Sequence, residues 1–376
     1  MYKILHVISD ENIGGAGILL LNLLRHTDRS RFEPILALPK NSLLLPRARA
    51  LGVRCFPLGA GADKTLSPSA IPALFRILQE ERPHILHTNA SLSARIAALP
   101  FRHMACIDTK HCCFPPTKQQ MSALSRLAFR AFEALSGVYY IATARAVREN
   151  LLARGSAGNR VTVICGGSEM VPPLDETERD ELRAQLGLPR NCFTVGLAAR
   201  IENGKGHEHL LAAARLLANE KDIRFLIVGS GTLSARMKKA AEDLPNVIFT
   251  GFREDVGRVM NLFDLNLSCS YLSETSPLSL SEGMSLGIPI VVTDIGGNSD
   301  MAKGCGIVIP PRAPRALAHA ILRLKADHTL YASLSKGAIR RHTAYSAEHM
   351  AKKTEALYFE LIRQKKTQFE KRHFKF

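Results

Sequence analysis

Short apolar runs alternate with longer segments of helical period from the first residues onward. Lys3–Ile8 is an apolar strand, Gly14-Gly15-Ala16-Gly17 a tight loop and Ile18–Leu24 a leucine-rich helix. Strand-like runs recur around Ile35, Phe56, Ile85, Ile107 and Tyr140, with helices over 68–82, 118–135 and 144–154, and Val161–Gly167 closes the series. A strand covered on both faces reads as a continuous apolar run, so this alternation predicts a doubly wound parallel sheet. After a proline-containing link, Glu169–Glu176, a second series begins at Leu182–Leu188. Its strands are Phe193–Ala199, Phe225–Val228, Val247–Thr250, Asp264–Cys269 and Ile288–Thr293, with helices from His207 and over 254–263. From Pro314 the pattern is helical, and Tyr345–Ile362 reads as a terminal helix. A chain of 376 residues is too long for one core. The expected division is 1–168, 169–345 and a helix with a basic tail over 346–376.

Within Tyr271–Asn298 one charged residue, Glu282, stands between Thr275 and Thr293. An unpaired carboxylate taken out of water costs about several kcal/mol, so Glu282 needs a partner. Ser276 reads as an N-cap and Pro277 as the first helical residue, with Leu278 after it. Gly287 closes the helix as a left-handed cap, and Gly296-Gly297 is a turn. Glu274 and Glu282 thus flank a helix start whose amides attract anions. Carboxylates there repel a phosphate unless they are directed at hydroxyls, and a sugar nucleotide carries both groups. Arg200 and Lys205 share the loop after the strand ending at Ala199, where two cations bind a diphosphate without a metal. The glycine loop around Gly15 lets backbone approach a ligand closely. His84–Asn89 and Asp108–His111 place polar residues at carboxyl ends of strands, where open α/β sheets bind ligands.

Glu274-x7-Glu282, followed by Gly283-Met284, Gly287, Pro289 and Gly296-Gly297, resembles the signature of retaining nucleotide-sugar glycosyltransferases of family 4, which have the GT-B fold. Arg200-x4-Lys205 and the run Gly251–Val256 extend the resemblance over nearly the whole chain. It implies two Rossmann-like domains facing across a cleft, the first for the acceptor and the second for a UDP- or GDP-sugar, with the terminal helix crossing back. It further implies that Glu274 contacts donor-sugar hydroxyls and Glu282 the ribose. Arg200, Lys205 and the helix start at Ser276, Pro277 and Leu278 would hold the diphosphate, and His111 would lie beside the sugar. The chain departs from the family pattern at Asn89, where His-x-His is common, at Gly166-Gly167 in place of Asn-Gly, and at Asp300 in place of Glu.

The net charge of +16 is concentrated: residues 1–168 hold 21 Lys and Arg against 10 Asp and Glu, and 363–376 hold 6 against 1. With no Trp and no aromatic and basic residues interleaved on a strand, a nucleic-acid partner is not expected, although a basic nucleic-acid binder stands as the alternative class. A sugar-nucleotide epimerase of the same fold is the alternative enzyme. The missing G-x-G-x-x-G argues against a dinucleotide oxidoreductase. No Asp-x-Asp occurs, and no metal or other cofactor is expected. The eight cysteines lack Cys-x-x-Cys spacing and read as reduced core residues; adjacent Cys112 and Cys113 point to opposite strand faces, poor geometry for zinc. Met121, Leu124, Leu127, Ala128, Phe132 and Leu135 recur at helical spacing, while Lys118, Arg126 and Arg130 take other positions. Such a helix packs on a core or lies on anionic lipid, and the charge asymmetry favours lipid. The expectation is a cytoplasmic protein, peripheral on the inner face of the cell membrane, with a lipid-linked or glycan acceptor.

Overall fold

In the computed structural model, which describes residues 1–59 and 64–373, the chain divides after Gly167 and again after Ser346. Unit 1 is Met1–Gly167 with the segment from Ala347, and unit 2 is Ser168–Ser346. The strands of unit 1 are β1 (Tyr2–Ile8), β2 (Phe32–Pro39), β3 (Arg54–Leu58), β4 (Ile85–Asn89), β5 (Ala105–Lys110), β6 (Val138–Ala142) and β7 (Val161–Val163). They form one sheet in the order β3-β2-β1-β4-β5-β6-β7, with every pairing parallel. Ile4–Ile8 and all five residues of β4 are buried, the apolar positions and the polar His6, His87, Thr88 and Asn89 alike.

Unit 2 has β8 (Phe193–Ala198), β9 (Ile223–Val228), β10 (Val247–Gly251), β11 (Leu265–Ser268), β12 (Ile290–Thr293) and β13 (Gly306–Ile309). Their order is β10-β9-β8-β11-β12-β13, again parallel throughout. Val195, Leu197, Phe225, Ile227, Leu265 and Leu267 from its central strands are buried against Leu210 and Leu211 on one covering helix and Leu317 and Ile321 on another. Both sheets therefore reverse direction in mid-order, between β1 and β4 in unit 1 and between β8 and β11 in unit 2. Crevices at such switch points are where doubly wound sheets take ligands.

Six helices carry or border the functional residues: α1 (Gly15–His26), α2 (Ile71–Glu81), α3 (Ala123–Ser136), α4 (His207–Leu216), α5 (Leu278–Ser285) and α6 (Ala347–His373). The last returns to unit 1 and completes its core. Tyr358 is buried there, its hydroxyl 2.6 Å from His87 Nδ1 and its ring packed edge-on against Phe32. The amide of Asp28 donates to Glu355 Oε1 at 2.7 Å.

Several boundaries differ from the sequence expectation. The strand expected over Ile288–Thr293 begins at Ile290, because Pro289 has no N–H to give the ladder and only its carbonyl joins β11. The helix expected over 254–263 shortens to Val256–Met260. β13 lies outside the sequence expectation.

Candidate functional site

The loop after β8 carries Arg200 and Lys205, and the loop after β11 carries Glu274 and leads into α5, so the two border the switch point of unit 2. Backbone contacts hold them together. Tyr271 N donates to Gly204 O at 2.8 Å, and the Tyr271 hydroxyl donates to Asn203 Oδ1 at 2.8 Å. Two glycines are required by this closeness. A Cβ on Gly206 would lie 2.0 Å from the carbonyl oxygen of Cys269, and one on Gly296 would lie 1.9 Å from that of Glu274. Both have positive φ, +77° and +58°. Gly297 N also donates to Glu274 O at 3.2 Å. The Gly296-Gly297 turn after β12 is thus the seat on which Glu274 rests.

The Glu274 carboxylate takes Lys205 Nζ at 2.5 Å and Ser270 Oγ at 2.5 Å, both on Oε1. The guanidinium of Arg200 is exposed and makes no hydrogen bond or ion pair with the described residues. The start of α5 corrects the sequence reading by one residue. Pro277, with an extended ψ of 118°, is the N-cap, Leu278 is the first helical residue, and Ser276 is buried ahead of the cap. The cap has no side-chain hydrogen bond, so the amides of Leu278 and Ser279 stand at an uncapped helix start. Glu282 lies on the next turn, where burial pushes its carboxyl up to about 7. No described residue pairs with its side chain. The side chain is half-buried, so that some solvent still reaches it.

In unit 1, Gly15 is the exposed first residue of α1, and a Cβ added there would meet open space. It follows β1 at that unit's switch point, where Ser9 Oγ donates to Ala90 O, just past β4, at 3.3 Å. His111 follows β5, with Nε2 2.8 Å from Asn89 Oδ1. The amide oxygen only accepts, so this contact puts the imidazole proton on Nε2. Burial pushes the pKa of His111 down to about 4, which keeps the ring neutral near pH 7. Next to it Asp108 is buried and held below the usual carboxylate range despite that burial, by Lys110, Arg95 and the hydroxyl of Thr88. His87 has Tyr358 on one nitrogen and Thr109 on the other, and it sits in the core. The structure therefore brings Arg200, Lys205, Glu274, Ser276 and Pro277 onto two bordering loops of unit 2, with Leu278 and Glu282 on the helix α5 that follows, and it places Gly15 and His111 at carboxyl ends of strands in unit 1.

Sequence reasoning missed Ser270, which holds Glu274, and the bond from His111 to Asn89. Ser270 carries no signal beyond following β11. Asn89 stands out in the sequence only as a departure from a histidine.

The family model described as Glycosyltransferase Family 4 matches residues 13–169, and that described as Glycosyl transferases group 1 matches 192–327. The chain is a family 4 glycosyltransferase of the GT-B fold. A UDP-Gal:alpha-D-GlcNAc-diphosphoundecaprenol alpha-1,3-galactosyltransferase of Escherichia coli is 24% identical over 277 residues, 69% of this glycosyltransferase and 70% of its relative. Among solved structures, HepE of Anabaena in complex with UDP and glucose superposes with a TM-score of 0.81 at 19% identity, covering 96% of this chain and 100% of HepE. A glycosyltransferase of Rickettsia africae gives a TM-score of 0.81 at 18% identity over 96% of this chain and 98% of the other. At these identities the structural likeness shows the fold. Among the described residues of this glycosyltransferase, no group of three His, Cys, Asp or Glu is placed to hold a metal ion.

Proposed function

We propose that this glycosyltransferase moves a sugar, with retention of anomeric configuration, from a nucleotide-sugar donor to a lipid-linked or glycan acceptor in cell-envelope polysaccharide synthesis. The observation that carries this reading is Glu282, a carboxylate without a partner on the helix whose start adjoins the Lys205–Glu274 pair. Ribose hydroxyls supply the donors that Glu282 lacks, and Glu274 takes hydroxyls of the donor sugar. Arg200, Lys205 and the amides at Leu278 and Ser279 hold the diphosphate and stabilise the charge that grows on it as it leaves. Ser276 and Pro277 shape that helix start. In unit 1, His111 offers a neutral imidazole to the sugar, and Gly15 offers backbone to the donor.

Attack comes from the face that the diphosphate leaves. As the bond from the anomeric carbon to the phosphate oxygen breaks, the acceptor oxygen bonds to that carbon and its proton passes to the departing phosphate. The two cations and the helix start take the part of a metal in this step. The Escherichia coli relative uses a UDP-sugar, as its name states, and HepE was crystallised with UDP, which favours UDP over GDP.

The acceptor side carries a second observation. On α3, Leu124 is 78% and Leu127 64% exposed, and Ala128, Ala131 and Leu135 are also exposed, as is Met121 just before the helix. Only Glu133 of that helix is buried. An outward apolar face on a unit rich in Lys and Arg suits an anionic membrane surface, where a lipid-linked acceptor is met. Among the described residues no helix is long and apolar enough to cross a membrane, so the contact proposed is peripheral.

A thermal-shift screen against UDP, GDP, ADP and their sugars, followed by nucleotide release with candidate acceptors, tests the donor reading. Stabilisation by UDP-sugars and acceptor-dependent release of UDP are expected. Conversion of the nucleotide sugar without any acceptor would assign the site to an epimerase.

A further inference from the structure

The proposed donor residues sit at carboxyl ends of strands, whereas the amino end of unit 1's sheet carries a groove of about 730 Å³ lined by none of them. That is the size of a small-molecule site. Pro83, Phe101 and Ile362 give it an apolar lining. Arg82, His84, His103, Lys365 and Lys366 add cationic or imidazole groups against one carboxylate, Glu370. Gln79 lies on α2, Arg82–His84 precede β4 and Phe101–His103 precede β5, while the rest come from α6. The length of β4 separates the groove from Asn89 and His111 by about 16 Å.

The groove has a positive field and a fixed donor. His84 and His103 are both held below the usual histidine range, first by burial and then by Lys366 and Lys365 respectively. His84 Nδ1 accepts the backbone N–H of Lys3 at 3.0 Å, so the neutral ring carries its proton on Nε2 and donates from there. Arg82 holds a long cationic side chain at a φ of +43°, in the region that favours glycine. The groove is also joined to α3. Lys365 Nζ donates to Arg102 O at 3.1 Å, and Arg102 Nη1 donates to Leu135 O at 2.7 Å, so the outward apolar face of α3 ends beside the cationic lining.

A bare anion answers the charge and leaves the apolar lining unused. A phosphate carrying acyl chains answers both. We propose that this groove binds the anionic headgroup of a membrane phospholipid, with the acyl chains directed toward α3. This deepens the proposed membrane contact and rests on it for where the lipid is met.

The test is calorimetric titration of the full chain with dihexanoyl-phosphatidylglycerol below its micelle concentration, with dihexanoyl-phosphatidylcholine and with inorganic phosphate. Phosphatidylglycerol is expected to bind about ten-fold or more tighter than either of the others, and Arg82→Gln/Lys366→Gln to weaken it by about ten-fold or more. Both substituted side chains are exposed, and nucleotide-sugar turnover in solution is expected to stay at the parent level. Equal binding of the two lipids, or parent-like binding by the double variant, overturns the proposal. Binding of inorganic phosphate as tight as that of phosphatidylglycerol overturns the lipid and assigns the groove to a free anion. The membrane reading fails separately, in a vesicle assay with Leu124→Ser/Leu127→Ser, a variant that leaves the groove intact.

Discussion

A carboxyl that burial holds near pH 7 is only partly charged at neutral pH, and Glu282 has no described neighbour to offset the cost of charging it. The folded chain keeps this proton to about pH 7, while the unfolded chain releases it near the ordinary glutamate value of 4.5. The folded state therefore binds more protons between these values, and its stability falls as pH rises from 4.5 to 7. Glu282→Gln should make the ligand-free protein about 1–3 kcal/mol more stable at pH 8 and leave it unchanged at pH 4, as read from urea unfolding. Glu282→Ala should weaken donor binding by about 1–3 kcal/mol. For the parent, donor affinity should fall as pH drops below 7, since the neutral acid accepts ribose hydroxyls poorly; a flat titration from pH 5 to 8 would remove Glu282 from the donor contact. Arg200→Ala and Lys205→Ala should each lower turnover by about ten-fold to a thousand-fold. Parent activity should persist in EDTA, and a strict need for added manganese or magnesium would refute the role given to these two cations. The lone charge of Glu282 was legible because everything around it in sequence is apolar, small or hydroxylic. The pairing of Lys205 with Glu274 was not, since 69 residues separate them and only the switch point joins their loops.

Among the elements, the Gly296-Gly297 turn shows how backbone placement reaches the chemistry. Gly296→Ala forces a Cβ against the carbonyl of Glu274 at a left-handed φ. It should cost about 1–3 kcal/mol of stability and lower turnover by moving Glu274. Activity at the parent level, measured on the folded variant, would show that Glu274 does not depend on this seat. Helix α3 teaches the limit of periodicity. The repeat of Met121, Leu124, Leu127, Ala128, Phe132 and Leu135 announces a helix with an apolar stripe; Leu124, Leu127, Ala128 and Leu135 form such a stripe facing outward, while Met121 precedes the helix. Phe129 and Phe132 are half-buried on the inner side, and the one buried side chain, Glu133, is held by Ser156 and by the amide of Ala157 at 3.2 Å. Amphipathic spacing fixes which residues share a face. It leaves open which face the sheet covers, because Glu133 finds its partners more than 20 residues away. β13 escapes a sequence reading for a related reason: Gly306–Ile309 is four residues long between Lys303-Gly304 and Pro310, too short for a period to register.

At the scale of the whole molecule, the excess charge of 1–168 and 363–376 falls within a single unit, because α6 packs on unit 1. Sedimentation with phosphatidylglycerol vesicles should show binding at low salt and its loss at high salt, and Leu124→Ser/Leu127→Ser should weaken it by about ten-fold. Absence of binding at low salt would favour a soluble acceptor. The doubly wound sheets were legible because parallel strands bury both faces and so announce themselves as apolar runs. The return of α6 has a consequence for synthesis. The ribosome delivers all of unit 2 before the helix that brings Tyr358 to His87 and Phe32. Unit 1, although begun first, is finished second, and its nascent sheet must wait with that side open while a whole domain is made. A chain stopped after Ser346 should accordingly yield a protease-resistant fragment of unit 2 and digest readily in unit 1.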